Sequence, residues 1–300
     1  MSLWEKVKEF YVNEYKKLLI IPILILLLSF AYLGLNYLKK GEFIERDVSL
    51  KGGITASIYT DKDYGDLENY LKKRLNADFA VRRLTEFGSE KQTGVIIETE
   101  NINEEDFKKA LEEKLNIKLT KDNFSIEVTG SSLSQSFYRQ MIFALALAFS
   151  FMSIAVFLIF RTAVPSLAVI LSAFADIVET VALIDLIGIK LSTGAIAALL
   201  LLIGYSVDTD ILLTTNVIKR KEGSVDERIF KSIKTGMTMT LTAMAAVAVG
   251  YIVSNSFLLK DIFLIIFFGL LFDMFNTWIT NAALLKIYVS KKEKHNEQVS

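Results

Sequence analysis

The chain has 300 residues, of which 52% are hydrophobic, and it contains two prolines and no cysteine. A positive mean hydropathy with this composition is typical of a membrane protein with several spans rather than of a soluble domain. The absence of cysteine excludes disulfides, thiolate metal sites and thiol catalysis. The formal net charge of zero gives no bulk attraction to nucleic acid, so we expect no nucleic-acid partner.

Six hydrophobic runs are long enough to cross a membrane as helices. A hydrocarbon core of about 30 Å needs about 20 apolar residues in a helix, and each run meets that length. The first run lacks a small-residue cleavage pattern, so we expect a retained anchor rather than a removed signal. The predicted spans are 18–38, 138–160, 165–187, 192–217, 236–257 and 262–285.

These spans divide the chain into four predicted regions. Lys and Arg are concentrated in the short loops of one side, which marks that side as cytoplasmic, and the basic loop containing Lys221 is among them. We predict a cytoplasmic N-terminus and first anchor over 1–38, an extracytoplasmic α+β domain over 39–137, a five-helix transmembrane bundle over 138–287 and a cytoplasmic charged tail over 288–300.

The predicted extracytoplasmic domain is polar and shows a regular order of strand and helix patterns. Strand patterns cover 50–59, 79–84, 95–99 and 124–128, and helical patterns cover 63–75 and the segment after the N-cap candidate Asn103. This order predicts a ferredoxin-like (βαββαβ) fold between the first and second spans. No catalytic constellation or Gly-rich phosphate loop is present in its sequence, so we expect a binding or gating module with no cofactor, metal site or enzymatic activity.

Charged residues within the predicted spans are the most informative feature of the chain. An ionised side chain near the bilayer centre costs about 2.5–3.5 kcal/mol on insertion scales, so such residues mark ion or proton paths by default. The proton-relay candidates are Asp208, Asp210, Asp176, Glu179, Lys234 and Asp273, and the polar-lining candidates are Gly204, Tyr205, Thr238, Thr242 and Asn276.

The fourth span carries two acids that cannot act as one pair. Asp208 and Asp210 are two residues apart and therefore point about 200° apart on a helix. Gly204 lies one turn before Asp208 on the same face, where a glycine lets a helix or water approach closely. We therefore expect Asp208 to face the functional site and Asp210 to face another neighbour or the inner interface.

Three other spans each carry a polar face. In the third span Asp176 and Glu179 share a face, and repulsion between them disfavours ionisation of both at neutral pH. In the fifth span Lys234, Thr238 and Thr242 share a face. The sixth span has a polar stripe at three- and four-residue spacing, formed by Asp273, Asn276, Thr277, Thr280 and Asn281.

A structural role is the alternative for each of these groups. Protonated carboxylates bonded to Thr and Asn also hold helices together. Lys234 alone suits an interfacial residue whose amine reaches lipid phosphates, and Thr238 and Thr242 can bond to carbonyls of their own helix. Asp185 lies near the outer interface, where we expect it to be solvated.

Four motifs in the chain resemble those of the SecF family, the smaller half of the SecD–SecF accessory complex of the protein-export translocon. The family's architecture of one anchor, one outside domain and five further spans also matches, so the resemblance covers nearly the whole chain. The glycine pair Gly52 and Gly53 is weak alone, whereas the ordered set is specific. The motifs are Ser49-Leu50-Lys51-Gly52-Gly53, Ala175-Asp176-Ile177-Val178, Gly188-Ile189-Lys190-Leu191-Ser192 and Ile203-Gly204-Tyr205-Ser206-Val207-Asp208.

The chain departs from the bacterial family pattern at residues that bear on its chemistry. Ser49 stands where that pattern has an acidic residue. The run Asp208-Thr209-Asp210 stands where it has Asn then Asp, so the family's key acid has no residue-for-residue match. Lys234 replaces an arginine, which preserves a point charge but not a bidentate contact. These departures resemble the archaeal branch of the family.

The resemblance implies a non-enzymatic accessory subunit that promotes passage of unfolded polypeptide across the cell membrane. Its implied partners are a SecD-like protein, a SecY-type channel, the translocating polypeptide and membrane lipid. Proton flow through the spans would move the outside domain, with Asp208 titrating. Because one charge crossing 100 mV yields about 2.3 kcal/mol, each step is a small conformational bias.

Two other functions remain open at this point. In the first, the protein is a passive scaffold for the translocon and its acids are structural. In the second, the chain is half of a small-molecule efflux transporter of the RND type. The single small outside domain disfavours the second, because such transporters have two large ones. The six spans show no internal repeat, so an alternating-access cycle would need a partner of similar topology.

Overall fold

The computed structural model describes residues 3–61, 64–85, 92–100, 102–120, 123–220, 222–254 and 256–299. Asp63, the predicted start of the first domain helix, and Lys221, in the predicted basic loop, lie outside these residues, as does Ser300 at the end of the predicted tail. The described chain is mostly helical, with one small antiparallel sheet.

The helices form two groups, a short set within an α+β domain and a long set within a bundle. The short helices are α3 (Val48–Lys51), α4 (Leu67–Leu75) and α5 (Glu104–Leu115). The long set comprises α1 (Leu3–Leu18), α2 (Ile20–Lys40), α6 (Ser131–Phe160), α7 (Ala163–Leu186), α8 (Thr193–Ile218), α9 (Val225–Val253), α10 (Phe257–Phe275) and α11 (Ala282–Val299). A π-helical segment (Asn276–Asn281) joins α10 to α11.

The sheet of the α+β domain has the strand order β2-β3-β1-β4, and every pairing is antiparallel. Along the chain the elements follow as β1, α4, β2, β3, α5 and β4, where the strands are β1 (Gly53–Tyr59), β2 (Phe79–Thr85), β3 (Gln92–Thr99) and β4 (Phe124–Thr129). Alternate residues of β1 are buried beneath the two helices, because successive strand side chains point to opposite faces. Phe107 and Leu111 of α5 and Leu71 of α4 fill this core against Ile58.

The glycine pair lies where the chain enters β1 beside the first turn of α6. Gly52 and Gly53 have φ angles of +88° and +146°, which side-chain-bearing residues rarely adopt. A Cβ on Gly52 would lie 2.5 Å from the Ser131 Cα, and one on Gly53 would lie 3.1 Å from the Val48 Cγ1. Gly52 therefore permits a close backbone crossing between the domain and the bundle, whereas Gly53 permits a close contact with Thr99 and Val48 within the domain.

Five helices in the described chain are long and apolar enough to cross a membrane: Lys8–Lys40, which joins α1 to α2, and Ser131–Phe160, Ala163–Leu186, Thr193–Ile218 and Val225–Val253. The predicted sixth span, 262–285, is not among them; it contains the junction between α10, the π-helical segment and α11. α6 and α2 expose large apolar side chains such as Phe143 and Leu28. The buried core of the bundle instead lies between α8 and α10, around Leu202 and Ile266.

The α+β domain is fixed to one end of the bundle, which we call the domain end; the opposite end, with α1 and α11, is the tail end. Asp185 at the end of α7 accepts hydrogen bonds from the Tyr32 hydroxyl at 2.8 Å, the Asn36 amide at 2.5 Å and the Glu45 backbone N–H at 3.0 Å. The prediction that Asp185 is merely solvated is therefore wrong, because the chain after α2 folds back over it. Arg82 of β2 adds an ion pair with Asp261 of α10 at 3.2 Å.

Candidate functional site

Four carboxylates from three helices meet in the interior of the bundle, and we call them the acid cluster. Asp176 and Glu179 lie on α7, Asp210 on α8 and Asp273 on α10. Their exposed fractions are 0%, 1%, 0% and 0%, respectively. Isolated ionised carboxylates are costly in such a place, so their partners determine what the cluster can do.

Asp176 and Glu179 are bridged by one amide. The Asn276 Nδ2 donates to the Asp176 Oδ1 at 2.9 Å and to the Glu179 Oε2 at 2.8 Å. Ser206 of α8 donates to the other Asp176 oxygen at 2.5 Å. An amide nitrogen carries two hydrogens, so Asn276 can serve both acids at once.

Asp210 and Asp273 are bridged by one hydroxyl. The Thr277 Oγ1 lies 2.9 Å from the Asp210 Oδ1 and 3.0 Å from the Asp273 Oδ1. Asn281 also donates to the Asp210 Oδ1 at 2.7 Å, and the Thr209 hydroxyl lies 3.1 Å from both oxygens of Asp273. A hydroxyl carries one hydrogen, so Thr277 can donate to only one of its two acids at a time.

Some oxygens within this network have no hydrogen-bond partner among the residues that the structure describes. They are the Glu179 Oε1, the Asp210 Oδ2 and the Asn281 Oδ1, all of them buried. The partners that the structure gives to the four acids are neutral side chains of Ser, Thr and Asn. The acid cluster is therefore a carboxylate network held by neutral donors, with open acceptor positions.

The predicted residues Asp208, Gly204 and Tyr205 lie outside this cluster. All three are on the exposed face of α8, and Tyr205 is 44% exposed. A Cβ on Gly204 would have no other atom within 4 Å. The expected divergence of Asp208 from Asp210 is present, but the acid that meets the other carboxylates of this chain is Asp210. That Asp208 faces the functional site remains a prediction, and it would require a partner protein to complete that site.

The predicted polar face of α9 also lies apart from the acid cluster. Lys234, Thr238 and Thr242 are exposed. Thr238 donates to the carbonyl of Lys234 at 2.8 Å, and Thr242 donates to the carbonyl of Thr238 at 2.7 Å. Both threonines thus bond to carbonyls of their own helix, as the alternative structural role predicted.

Ser206 and Thr209 of α8 are site residues that the sequence-based candidates omitted. Together with Asp210 they have the spacing i, i+3 and i+4, which places them on one helical face. That spacing is visible in the sequence, whereas Gly204 lies on the opposite face of the helix together with Asp208. Asp273 and Asn276 were both candidates, and the structure brings them together with Asp176.

Comparison with known proteins assigns the family. Residues 108–291 match the family model described as "Protein export membrane protein SecD/SecF, C-terminal". SecF from Methanolacinia petrolearia is 38% identical over 288 residues, covering 94% of this chain and 98% of that protein. SecF from Pyrococcus furiosus is 34% identical over 290 residues, covering 96% of each. The chain belongs to the SecF family of protein-export membrane proteins, and these archaeal relatives confirm the resemblance drawn from its motifs.

A solved structure has the same fold over most of this chain. The crystal structure of SecDF, a translocon-associated membrane protein from Thermus, matches with a TM-score of 0.74 at 16% sequence identity. The match covers 93% of this chain and 38% of the solved chain, so this chain spans about two-fifths of that longer protein. Membership of a membrane-protein family, together with five long apolar helices in the described part of the chain, makes this a multi-pass membrane protein.

Proposed function

We propose that this protein is a non-enzymatic accessory subunit of the Sec export machinery that couples proton movement to the passage of unfolded polypeptide. The acid cluster is the observation that supports it. Four buried carboxylates share neutral donors. Carboxylates at membrane depth mark proton paths by default.

The architecture we propose has six spans and one extracytoplasmic domain. The sixth span is α10 together with the π-helical segment and the start of α11, and the strand order of the α+β domain is that of a ferredoxin-like sandwich. The region boundaries are those predicted from the sequence: 1–38, 39–137, 138–287 and 288–300. Both termini are cytoplasmic, following the Lys and Arg distribution.

The Thr277 hydroxyl is the point at which a proton passes between two acids. When Thr277 donates to Asp210, its oxygen can accept a hydrogen from Asp273 only if Asp273 is protonated. Asp273 then gives its proton to the Thr277 oxygen while Thr277 gives its own hydrogen to Asp210. One proton has thus moved from Asp273 to Asp210, and the Thr277 hydroxyl now donates to Asp273. This exchange changes the contacts between α8 and α10, and α10 reaches the α+β domain through Asp261 and Arg82.

The exposed face of α8 is where a SecD-like partner packs. Asp208 is exposed on an apolar helix and makes no hydrogen bond or ion pair with the described residues, and an acid at membrane depth needs a partner. Gly204, one turn away, allows a close approach of another helix. The longer solved chain is named SecDF, which is consistent with a second half beside the part that this chain matches.

The translocating polypeptide contacts the cleft between the open face of the sheet and the domain end of the bundle. This cleft has a volume of about 750 Å³ and is lined by hydroxyls and by more acids than bases. Its acids are Asp47, Glu98, Glu127 and Asp261, and its bases are Arg82 and Lys190. A hydroxyl-rich, acidic cleft suits an extended polar segment that carries positive charge.

Export in vesicles that contain the channel, a SecD-like partner and this protein tests the proposal. With an imposed proton gradient, Asp210→Asn reduces the gradient-dependent part of export to the level of dissipated vesicles. Asp208→Asn instead lowers co-purification with the SecD-like partner. Unchanged gradient-dependent export by Asp210→Asn, with normal assembly, would refute the coupling. Export by the wild-type protein that ignores the gradient would favour the passive scaffold.

A further inference from the structure

The π-helical segment determines which polar side chain meets which carboxylate. In an α-helix, residues five apart are about 140° apart around the axis, because each residue turns about 100°. Asn276 and Asn281 are five residues apart, yet Asn276 reaches Asp176 and Asn281 reaches Asp210. A π turn closes its hydrogen bond from i to i+5 and so brings such residues towards one side.

The opposite side of the π-helical segment is held by Trp278. Its indole ring lies over Gly236 of α9, where an added Cβ would overlap the ring. Its backbone carbonyl accepts a hydrogen bond from the Tyr11 hydroxyl of α1. Because π turns are rare and less favourable than α-helical turns, contacts of this kind are needed to stabilise one.

The N-terminal helix α1 is attached to the tail end of the bundle around this contact. The Tyr11 ring lies 5.5 Å from the Phe230 ring of α9, and the Lys8 amine lies 5.2 Å above the same Phe230 ring. Lys286 of α11 donates to the Val12 carbonyl at 3.2 Å. α1 thus bridges α9 and α11 directly over the π-helical segment.

We propose that Tyr11 is a positioning residue whose hydroxyl holds residues 276–281 in the π conformation and thereby sets the pairing within the acid cluster. Its consequence for export rests on the proposed function, whereas its effect on the helix does not. Without the hydroxyl, the segment relaxes towards α-helical geometry. Asn281 then rotates away from Asp210 while Asn276 retains its contacts.

Trp278 fluorescence reports this change directly. The chain has two tryptophans, so Trp4→Phe leaves Trp278 as the single emitter. In that background Tyr11→Phe retains the ring against Phe230 and removes only the hydroxyl. We expect a shift of the Trp278 emission maximum, with hydrogen exchange of the amides of 277–283 faster by about 2- to 10-fold, the net value of one hydrogen bond.

Tyr15→Phe is the matched control, since it removes a hydroxyl from the same helix while its ring can still lie beneath Lys286, 4.7 Å away. A double-mutant cycle of Tyr11→Phe with Asn281→Ala completes the test. Tyr11 and Asn281 make their contacts with different partners, so independent residues would change the amide exchange rate by the product of their single-variant factors. A combined change smaller than that product shows that Tyr11 acts through Asn281.

Emission and exchange in Tyr11→Phe that match those in Tyr15→Phe would overturn the proposal, as would fully multiplicative effects in the cycle. These measurements need no export. A failure of Asp210→Asn to affect gradient-dependent export would therefore refute the proposed coupling without altering the role of Tyr11.

Discussion

Replacement of Gly52 by alanine tests the close crossing between the α+β domain and the bundle. Gly52 has φ +88° and ψ 156°, a region that is essentially confined to glycine. An added Cβ would lie 2.5 Å from the Ser131 Cα and 2.6 Å from its nitrogen, both of them backbone atoms. Gly41 is the matched control, because its φ is +75° but a Cβ there would have nothing within 4 Å.

The structure gives different magnitudes for the two replacements. Gly52→Ala adds backbone strain of about 1–3 kcal/mol to a steric cost of about 1–3 kcal/mol, because backbone atoms of α6 must move. Gly41→Ala adds only the left-handed penalty of about 1–2 kcal/mol. For a domain of 60–100 residues, each 1 kcal/mol lowers Tm by about 4–8 °C. We expect a fall of at least about 8 °C for Gly52→Ala and about half of that or less for Gly41→Ala.

Thiol labelling measures the opening of this domain specifically, since the chain has no cysteine of its own. Ala56 is 0% exposed on β1, so Ala56→Cys introduces a thiol that a maleimide reaches only when the sheet opens. Labelling against temperature in lipid nanodiscs gives the midpoint for each variant in the Ala56→Cys background. Equal decreases of the labelling midpoint for Gly52→Ala and Gly41→Ala would show that the close contact with Ser131 does not contribute to the stability of the domain, which would refute this prediction.

Three further predictions concern the site and its supports. Asn276→Leu leaves Asp176 and Glu179 without their shared donor and lowers the free energy of unfolding in detergent by about 2–5 kcal/mol; a loss below 1 kcal/mol would contradict the bridge. Burial raises the pKa of Asp47, with a further increase from a neighbouring glutamate. The folded protein therefore binds this proton more readily than the unfolded chain, and stability rises as pH falls through the raised pKa towards the ordinary value of 3.8. Asp47→Asn should flatten that part of the pH profile of thermal unfolding. Arg82→Ala breaks the ion pair with α10, whose two side chains are only partly exposed. We expect hydrogen exchange of β2 to become about 2- to 5-fold faster, the value of one such pair, while unchanged exchange would mean that the pair does not link domain and bundle.

The sequence was sufficient to place the apolar helices α2 and α6 to α9 and the strands of the α+β domain, because their signals are local. Apolar runs of about 20 residues and the alternation around Ile54, Ala56 and Ile58 follow from the periods of helix and strand. The glycine pair was also visible in the sequence. Its reason, the backbone of Ser131 beside Gly52, was not, since that contact joins segments nearly 80 residues apart.

The acids of the bundle show the limit of this reasoning. Helical spacing correctly separated Asp208 from Asp210, because residues two positions apart in an α-helix are about 200° apart around its axis. It could not decide which of them faces the chain's own interior, since that depends on how α8 is rotated against α7 and α10. The local cue of Gly204 favoured Asp208, whereas the structure buries Asp210 against Thr277 and leaves Asp208 exposed.

By itself, the sequence determined that this chain is a multi-pass membrane protein with acids inside its apolar segments, because the length and composition of each segment are local properties. Only the tertiary structure decided how those acids are paired. The π turn at 276–281 has no local signal in the sequence, and it exists together with contacts from α1 and α9 to Trp278. A change of helical register rotates every later side chain by about 100°, so the partners of Asn281 depend on packing that no single segment encodes.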